Sequence, residues 1–447
     1  MKKEFLLVSL LASLSAAASV AEPQVTSVTS TADASGNVTV NFTLDCPAIV
    51  TVDFVDADGR SIGLGNCTSL VGDANRYLAG GDHSFVWNAR ADLANAKTSL
   101  PPGIRTKLTA WSPEEPPPYL VADLYRKGEY GYYASSDAIP GGIGNVIYKT
   151  RKLVLRKIPA ANVTWRMGCA NDSDVKDART YGQRVRLTKN YYIGVYQVTL
   201  SQICQARGVR SWGSNRYSFG NVTDWERLPA EAWSFNEIRG QVVTTDVWPI
   251  SDANLPDASL IRKLRDVTGL QLDLPTEAQW EYACHAGVDG PYYSGGDAAS
   301  MKAYAWSATN WADDPECVAE GNENRVHSVG LKLPNVFGLY DFCGNTSEFA
   351  QDLVCKNIRE LTQYKPEGGD VLVDPLGATK DQVLTSWGIS SGADDKRCVR
   401  NWASPSLWTV AYDHNYLNAY WRSGSSSGNY NQGFRVACPA AYPAASN

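Results

Sequence analysis

The stretch Leu274-Pro275-Thr276-Glu277-Ala278-Gln279-Trp280-Glu281-Tyr282-Ala283 decides how the second half of the chain reads. Thr276 followed three residues later by Gln279 is a capping-box pair. The hydroxyl accepts the amide of the third helical residue, and that residue's side chain reaches back to the cap. The pattern predicts a helix over 275–283 with Trp280 and Ala283 on one face. A second helical stretch, Thr199–Cys204, follows the strand-like run Tyr191–Val198. Around these two helices, from about residue 161 onward, aromatics rise, Gly and Asn are frequent and strands are short. No repeat at a solenoid period is present.

Toward the N-terminus the character is different. Val38–Leu44 and Ala48–Val55 alternate with period two, and Asp56-Ala57-Asp58-Gly59 is a turn signal. His83–Trp87 and Thr106–Trp111 supply further strands. Residues 22–112 are therefore expected to form a small all-β sandwich. Pro113 and Pro116-Pro117-Pro118 interrupt the pattern, so 113–160 is expected to be a Pro-rich connecting segment packing on both neighbours. Met1-Lys2-Lys3, the apolar run Phe5–Val20 and the small-x-small site Ser19-Val20-Ala21 match a secretory signal peptide over 1–21. Export to a periplasmic, cell-surface or extracellular location is the expectation. No later segment has the ~18 uninterrupted apolar residues of a membrane helix.

The chain has 447 residues, 44% apolar, with 41 basic and 47 acidic side chains and a net charge of −6. That balance argues against a nucleic-acid partner, which needs clustered Lys and Arg. Four histidines without helical i, i+4 spacing argue against a three-His metal site. Ten cysteines without a C-x-x-C pair read as bridges or buried thiols of an exported protein. Cys46 and Cys67 stand alone in the N-terminal region, and the other eight leave 105 connectivities open.

Several blocks of the second domain, in order, resemble the formylglycine-generating-enzyme (sulfatase-modifying-factor) family. These are Met167-Gly168, Tyr192-Ile193-Gly194-Val195-Tyr196-Gln197-Val198-Thr199, the 274–283 stretch, Pro334-Asn335-Val336-Phe337-Gly338-Leu339-Tyr340-Asp341 with Gly344-Asn345, and Gly433-Phe434-Arg435-Val436. The resemblance implies a C-type-lectin-like α+β fold over 161–440, with 441–447 as a tail. The family's oxidase binds copper through two cysteines five residues apart, the second lying three residues before an Arg. Anchored on Arg422, the corresponding positions are His414 and Ala419, and no Cys lies between Cys398 and Cys438. Soft thiolates suit Cu(I), so no copper and no oxidase catalysis are expected. A related sulfoxide-synthase type joins this domain to a His-rich bundle, which is missing here. The family also carries calcium, and the resemblance places a structural Ca2+ at Asp341, Gly344, Thr346 and Glu348. Ser347 and Phe349 depart from the family's two tryptophans there. The alternative is that Asp341 and Glu348 hydrogen-bond loop amides.

The C-terminal segment departs from the chain's average. Residues 401–447 hold three charged residues, Asp413, Arg422 and Arg435, where the 20% average gives about nine. The segment also holds seven Ser, six Asn and five Tyr. Tyr gives contact area at low entropy cost, and Ser and Asn give adaptable hydrogen bonds. The composition resembles that of lectin-fold variable proteins of diversity-generating retroelements, in which template adenines are randomised. Asn codons changed in that way cannot become Lys, Glu or Met, and none of the three occurs in 401–447. The resemblance makes Ser404, Ser406, Tyr412, Asp413, His414, Asn415, Tyr416, Asn418, Tyr420, Ser425, Ser427 and Asn429 contact candidates for a protein or glycan ligand. Trp402, Trp421, Gly433 and Phe434 would be scaffold. The expectation is an exported, non-catalytic ligand-binding protein. The alternatives are a formylglycine-generating oxidase with unusual ligands and a carbohydrate or cell-wall binding module.

Overall fold

The computed structural model describes residues 22–62, 69–92, 103–169, 180–209, 225–241, 247–306, 326–393, 396–401, 422–424 and 432–441. It is a mixed α/β structure. The predicted leader, 1–21, lies outside the described residues.

In the N-terminal part, β1 (Val25–Ala32), β2 (Asn37–Leu44), β6 (Gly81–Asn88) and β4 (Leu70–Gly72) form one antiparallel sheet in the order β1-β2-β6-β4. β5 (Arg76–Leu78), β3 (Ala48–Val55) and β7 (Arg105–Trp111) form a second, ordered β5-β3-β7. The period-two runs put Val38, Val40, Phe42 and Leu44 of β2 and Val50, Val52 and Phe54 of β3 into one shared core. Phe54 and Trp87, from different sheets, stack at 3.9 Å between centroids. The Trp87 indole donates to Asp92 at 2.8 Å, at the end of the short helix α1 (Ala89–Asp92). That bond satisfies the one polar atom the stack would otherwise strand.

β3 is buried along nearly its whole length. Ile49, on its other face, joins the core of the second domain beside Leu120 and Tyr132. Trp111 donates to Thr51 at 2.9 Å, and the Tyr132 amide donates to the Asn75 carbonyl at 2.8 Å. The N-terminal sheets and the following part of the chain thus share packed apolar surface and, through Tyr132 and Asn75, a backbone hydrogen bond.

The segment 113–160, expected to be a connector, supplies three strands of the central sheet. β8 (Tyr119–Asp123), β9 (Tyr130–Tyr133) and β10 (Lys152–Ile158) join β13 (Tyr191–Gly194) and β19 (Ala437–Pro439) in the order β19-β13-β10-β8-β9. The triple proline ends just before β8 and so takes no ladder position. Alternate residues of these strands feed two cores. Tyr119, Val121, Val154, Ile158, Tyr191 and Ile193 face one, and Leu120, Ala122, Leu153, Leu155 and Tyr192 face the other. A sheet covered on both faces explains the continuous apolar runs here. The helix α2 (Ile147–Thr150) leads into β10.

On one face lies α3 (Leu200–Arg207), capped by Thr199 with Gln202 in a capping box and ended by left-handed Gly208. With it pack α4 (Phe235–Ile238) and α5 (Leu260–Thr268), whose cap is Ser259. On the other face lies α6 (Glu277–His285). Thr276 and Gln279 make the predicted reciprocal cap, and Trp280 and Ala283 are both fully buried. Two smaller sheets complete the domain. One is β11 (Val163–Met167), β12 (Gln183–Leu187) and β15 (Leu372–Val373). The other runs β17-β16-β14-β18, from β14 (Ser347–Leu353), β16 (Arg397–Arg400), β17 (Arg422–Gly424) and β18 (Gln432–Gly433). A further helix, α7 (Lys380–Trp387), is capped by Thr379. No helix among the described residues is long and apolar enough to cross a membrane.

Candidate functional site

The twelve contact candidates, Ser404 through Asn429, lie outside the described residues, as do His414 and Ala419. What is described is the frame that carries them. β16 and β17 pair antiparallel through Cys398–Gly424, Val399–Ser423 and Arg400–Arg422. Arg400 and Arg422, on either side of 402–421 in sequence, thus face each other across one ladder about 5 Å apart. Asn401, the first residue past the ladder, is buried with φ +60°, a left-handed turn that Asn tolerates better than most. Its Nδ2 donates to the Gly344 carbonyl at 3.4 Å. The exit of β16 is thereby tied to the loop expected to hold calcium.

The ladder's last residue is anchored by charge. Arg400 is fully buried and donates from Nη1 to Glu277 at 2.7 Å and from Nη2 to Glu281 at 2.5 Å. Glu277 and Glu281 lie one turn apart on α6, so both carboxylates meet one guanidinium. Glu281 also accepts the Gly168 amide at 2.5 Å and lies 3.5 Å from His285 Nε2. Burial alone would raise the Glu281 carboxyl. Arg400, His285 and the Gly168 amide outweigh it and hold the group below its ordinary value. The same guanidinium lies 5.1 Å from the centre of the Trp280 ring.

A second ion pair closes the domain. Arg435 and Glu348 are both fully buried. Arg435 donates from Nε at 2.6 Å and from Nη2 at 2.7 Å to the two oxygens of Glu348. Its other hydrogens go to the carbonyls of Gly194 at 2.9 Å and Tyr340 at 3.0 Å. Trp280 Nε1 donates to Glu348 at 2.6 Å and Gln197 Nε2 at 3.0 Å. Two donors thus address each Glu348 oxygen. Arg239, Asp273 and Gln351 form a third buried group, with Arg239 Nε 2.7 Å from Asp273.

The loop between Tyr340 and β14 is built from left-handed residues: Asp341 at +57°, Gly344 at +84° and Asn345 at +61°. A Cβ on Gly344 would lie 2.1 Å from the Trp306 carbonyl oxygen, so glycine is required twice over, for φ and for space. Asn345 accepts the His327 amide at 2.8 Å and donates to its carbonyl at 3.0 Å. Asp341 Oδ2 accepts the Gly330 amide at 2.7 Å, while Oδ1 is buried and has no hydrogen-bond partner among the described residues. The same holds for Thr346 Oγ1 and Gln197 Oε1. Burial raises the Asp341 carboxyl to about 6, against the Gly330 amide, Arg435 and Lys149.

The four expected calcium ligands do lie together, in unequal states. Glu348 is committed to Arg435, Trp280 and Gln197. Asp341 is the one carboxylate of the set with an oxygen lacking a donor among the described residues. A hard cation wants six to eight oxygens, usually with more than one negative ligand. Of the expected ligands, Glu348 is thus held by Arg435, Trp280 and Gln197 and belongs to the frame. Cys398 and Cys438, which bound the cysteine-free window, are buried in different sheets. Burial pushes the Cys438 thiol up to about 12.

Sequence reasoning did not single out Arg400, Gln197, Arg239 or Asp273. The i, i+4 spacing of Glu277 and Glu281 inside the quoted helix was the available signal for a buried cation opposite them.

Comparison with known proteins assigns this part of the chain to a family. The family described as "Sulfatase-modifying factor enzyme 1-like domain" matches residues 158–438, more than half of the chain. The chain belongs to that family. Its relatives include the formylglycine-generating enzyme of Bos taurus, 23% identical over 44% of this chain and 56% of that protein. The Mus musculus enzyme of the same name is 22% identical over 49% of this chain and 64% of its own. The chaperone protein LppX of Paenibacillus barcinonensis is 24% identical over 38% of this chain and 65% of that one. The chain thus spans between half and two-thirds of the curated relatives it matches. The structure of PvdO from Pseudomonas aeruginosa is 19% identical with a TM-score of 0.41, covering 64% of this chain and 94% of that one.

Proposed function

We propose that the chain is an exported binding protein in which a β-sandwich carries a C-type-lectin-like, non-catalytic member of the sulfatase-modifying-factor family. Its ligand, a protein or a glycan, is held by the Tyr-, Ser- and Asn-rich segment 401–432. The observation that carries this is the coincidence of two facts. The segment with paratope-like composition emerges from the β16–β17 ladder, and the base of that ladder is fixed by the buried Arg400–Glu277–Glu281 group. A rigid frame under an adaptable surface is how binding loops gain affinity without ordering cost. The family's copper-binding cysteines have His414 and Ala419 in their place, which removes the ligands that the oxidase chemistry requires.

The variable-protein reading belongs to the same proposal. Its test is the flanking DNA: a near-copy of codons 401–437 differing only at adenines, beside a reverse-transcriptase gene. Lack of both overturns diversification. Tyr412→Ala, Tyr416→Ala and Tyr420→Ala together should leave the melting midpoint unchanged and abolish binding to a glycan or cell-surface array that the wild type labels. Incubation with copper and a Cys-containing sulfatase peptide tests the oxidase alternative, and aldehyde formation would refute the non-catalytic assignment. A structural Ca2+ ion at Asp341, Gly344 and Thr346, beside the Glu348–Arg435 pair, is the remaining part. The buried oxygens of Asp341 and Thr346 that have no hydrogen-bond partner among the described residues support it.

A further inference from the structure

One buried pair of reactive groups has no part in the binding frame. Cys284, next to last in α6, and Cys343, in the loop before β14, are free thiols fully buried in the same apolar core, and burial, then the neighbouring Cys343 thiol, hold the Cys284 thiol well above its ordinary value. Their neighbours hold the approach from both sides. Trp280, one turn before Cys284, packs on Phe342, the residue before Cys343, at 5.0 Å between ring centroids. The Cys284 carbonyl accepts Asn335 Nδ2 at 3.1 Å, and Gly344 sits against Trp306 with no room for a side chain. The two thiols thus lie in one core, on segments that Trp280 and Phe342 bring into contact.

We infer that Cys284 and Cys343 are the two ends of a core disulfide that pins α6 to the 341–346 loop. The inference uses the export part of the proposal for its natural setting, since disulfides persist in oxidising compartments. The reaction is thiol–disulfide exchange with a disulfide donor such as an oxidised dithiol oxidase or oxidised glutathione. One thiolate attacks a donor sulfur and expels the donor's first thiol. The second thiolate then attacks the protein sulfur of the mixed disulfide and expels the other. Two thiol protons pass to the two leaving thiols, and the donor is reduced by two electrons. Because both sulfurs are sealed in the core, exchange takes place before the core closes.

The cross-link closes about sixty residues of chain, a span at which a disulfide strongly constrains the unfolded state. The test refolds the purified chain in a glutathione redox buffer. It is then alkylated in denaturant without reductant and its peptides are mapped. The expected result is one linked peptide pair containing Cys284 and Cys343. Recovery of both as separately alkylated residues, or linked to other cysteines, overturns the inference. This readout does not depend on export, which is read separately from the N-terminal residue of protein recovered from cells. As a second measurement, reductant should lower the wild-type melting midpoint by about 5 °C more than that of the Cys284→Ala/Cys343→Ala double variant. An equal response of the two proteins overturns it as well.

Discussion

Replacing Arg400 by Met tests whether the frame beneath the C-terminal segment is held by charge. Met keeps the apolar stem and removes the guanidinium. Glu277 and Glu281 then stay buried, 5% and 1% exposed at the side chain, without their cation. Breaking a buried pair in this way costs about 3–5 kcal/mol. For a protein of this size that is a fall of about 3–5 °C in melting midpoint. The pH dependence carries the sharper content. In the wild type the Glu281 carboxyl lies below its ordinary value, so its contribution is present above the unfolded pKa and is lost as pH falls through the folded one. In the variant burial acts unopposed by Arg400, and the Glu281 carboxyl rises and takes up a proton. The gap between the two proteins should therefore be widest near neutral pH and narrow toward pH 4. Adding Glu281→Gln to the variant should recover part of the loss, because it removes a stranded charge. Thermal melts of the four proteins of this cycle, at neutral pH and near pH 4, measure the coupling directly. A loss under about 1 kcal/mol, or one that does not change with pH, would refute the assignment of Arg400 as the cation of a buried carboxylate pair.

Other perturbations probe neighbouring contacts. Arg435→Lys should destabilise nearly as much as Arg435→Met, by about 3 kcal/mol, since one ammonium cannot reach both Glu348 oxygens and the two carbonyls together; urea melts of both variants measure this. Gly344→Ala should cost more than about 2 kcal/mol or prevent folding, seen by near-UV circular dichroism, because the new methyl would sit 2.1 Å from the Trp306 oxygen at a left-handed φ. Thr276→Ala removes the α6 cap and should cost about 1 kcal/mol in urea melts, with Thr276→Ser restoring most of it. If calcium binds at Asp341, chelation at matched ionic strength should lower the melting midpoint, and Asp341→Asn should abolish that response; equal midpoints with and without chelator would exclude the ion.

The legible parts of the sequence were those whose signals are local. The Thr276/Gln279 cap is a four-residue pattern and appears as drawn, with Trp280 and Ala283 buried on its inner face. The period-two runs predicted β2, β6 and β7, each with its core on one side, and also β3, whose other face packs through Ile49 on a second core. The 113–160 segment was underestimated for the opposite reason. Tyr119–Asp123 and Lys152–Ile158 are covered on both faces, so alternation disappears and the preceding prolines dominate the impression. α5 went unremarked although Ser259 and Gly269 bracket it with a cap at each end. The ion pairs were beyond reach. Arg435 and Glu348 are 87 residues apart, and Arg400 is 119 from Glu281, so no spacing rule links them. The candidate ligands Asp341 and Glu348 were found by resemblance, which gave their proximity and not that Glu348 already belongs to Arg435.

The Arg400–Arg422 closure has a consequence for what the segment between them can become. The entropy of closing a loop rises only with the logarithm of its length, so doubling the 402–421 excursion would cost about 0.6 kcal/mol. The ladder and its buried charges fix the two ends whatever residues lie between. On the proposed reading, stability and recognition fall to different stretches of chain, and changes in the sequence or length of 402–421 should leave the melting midpoint almost constant.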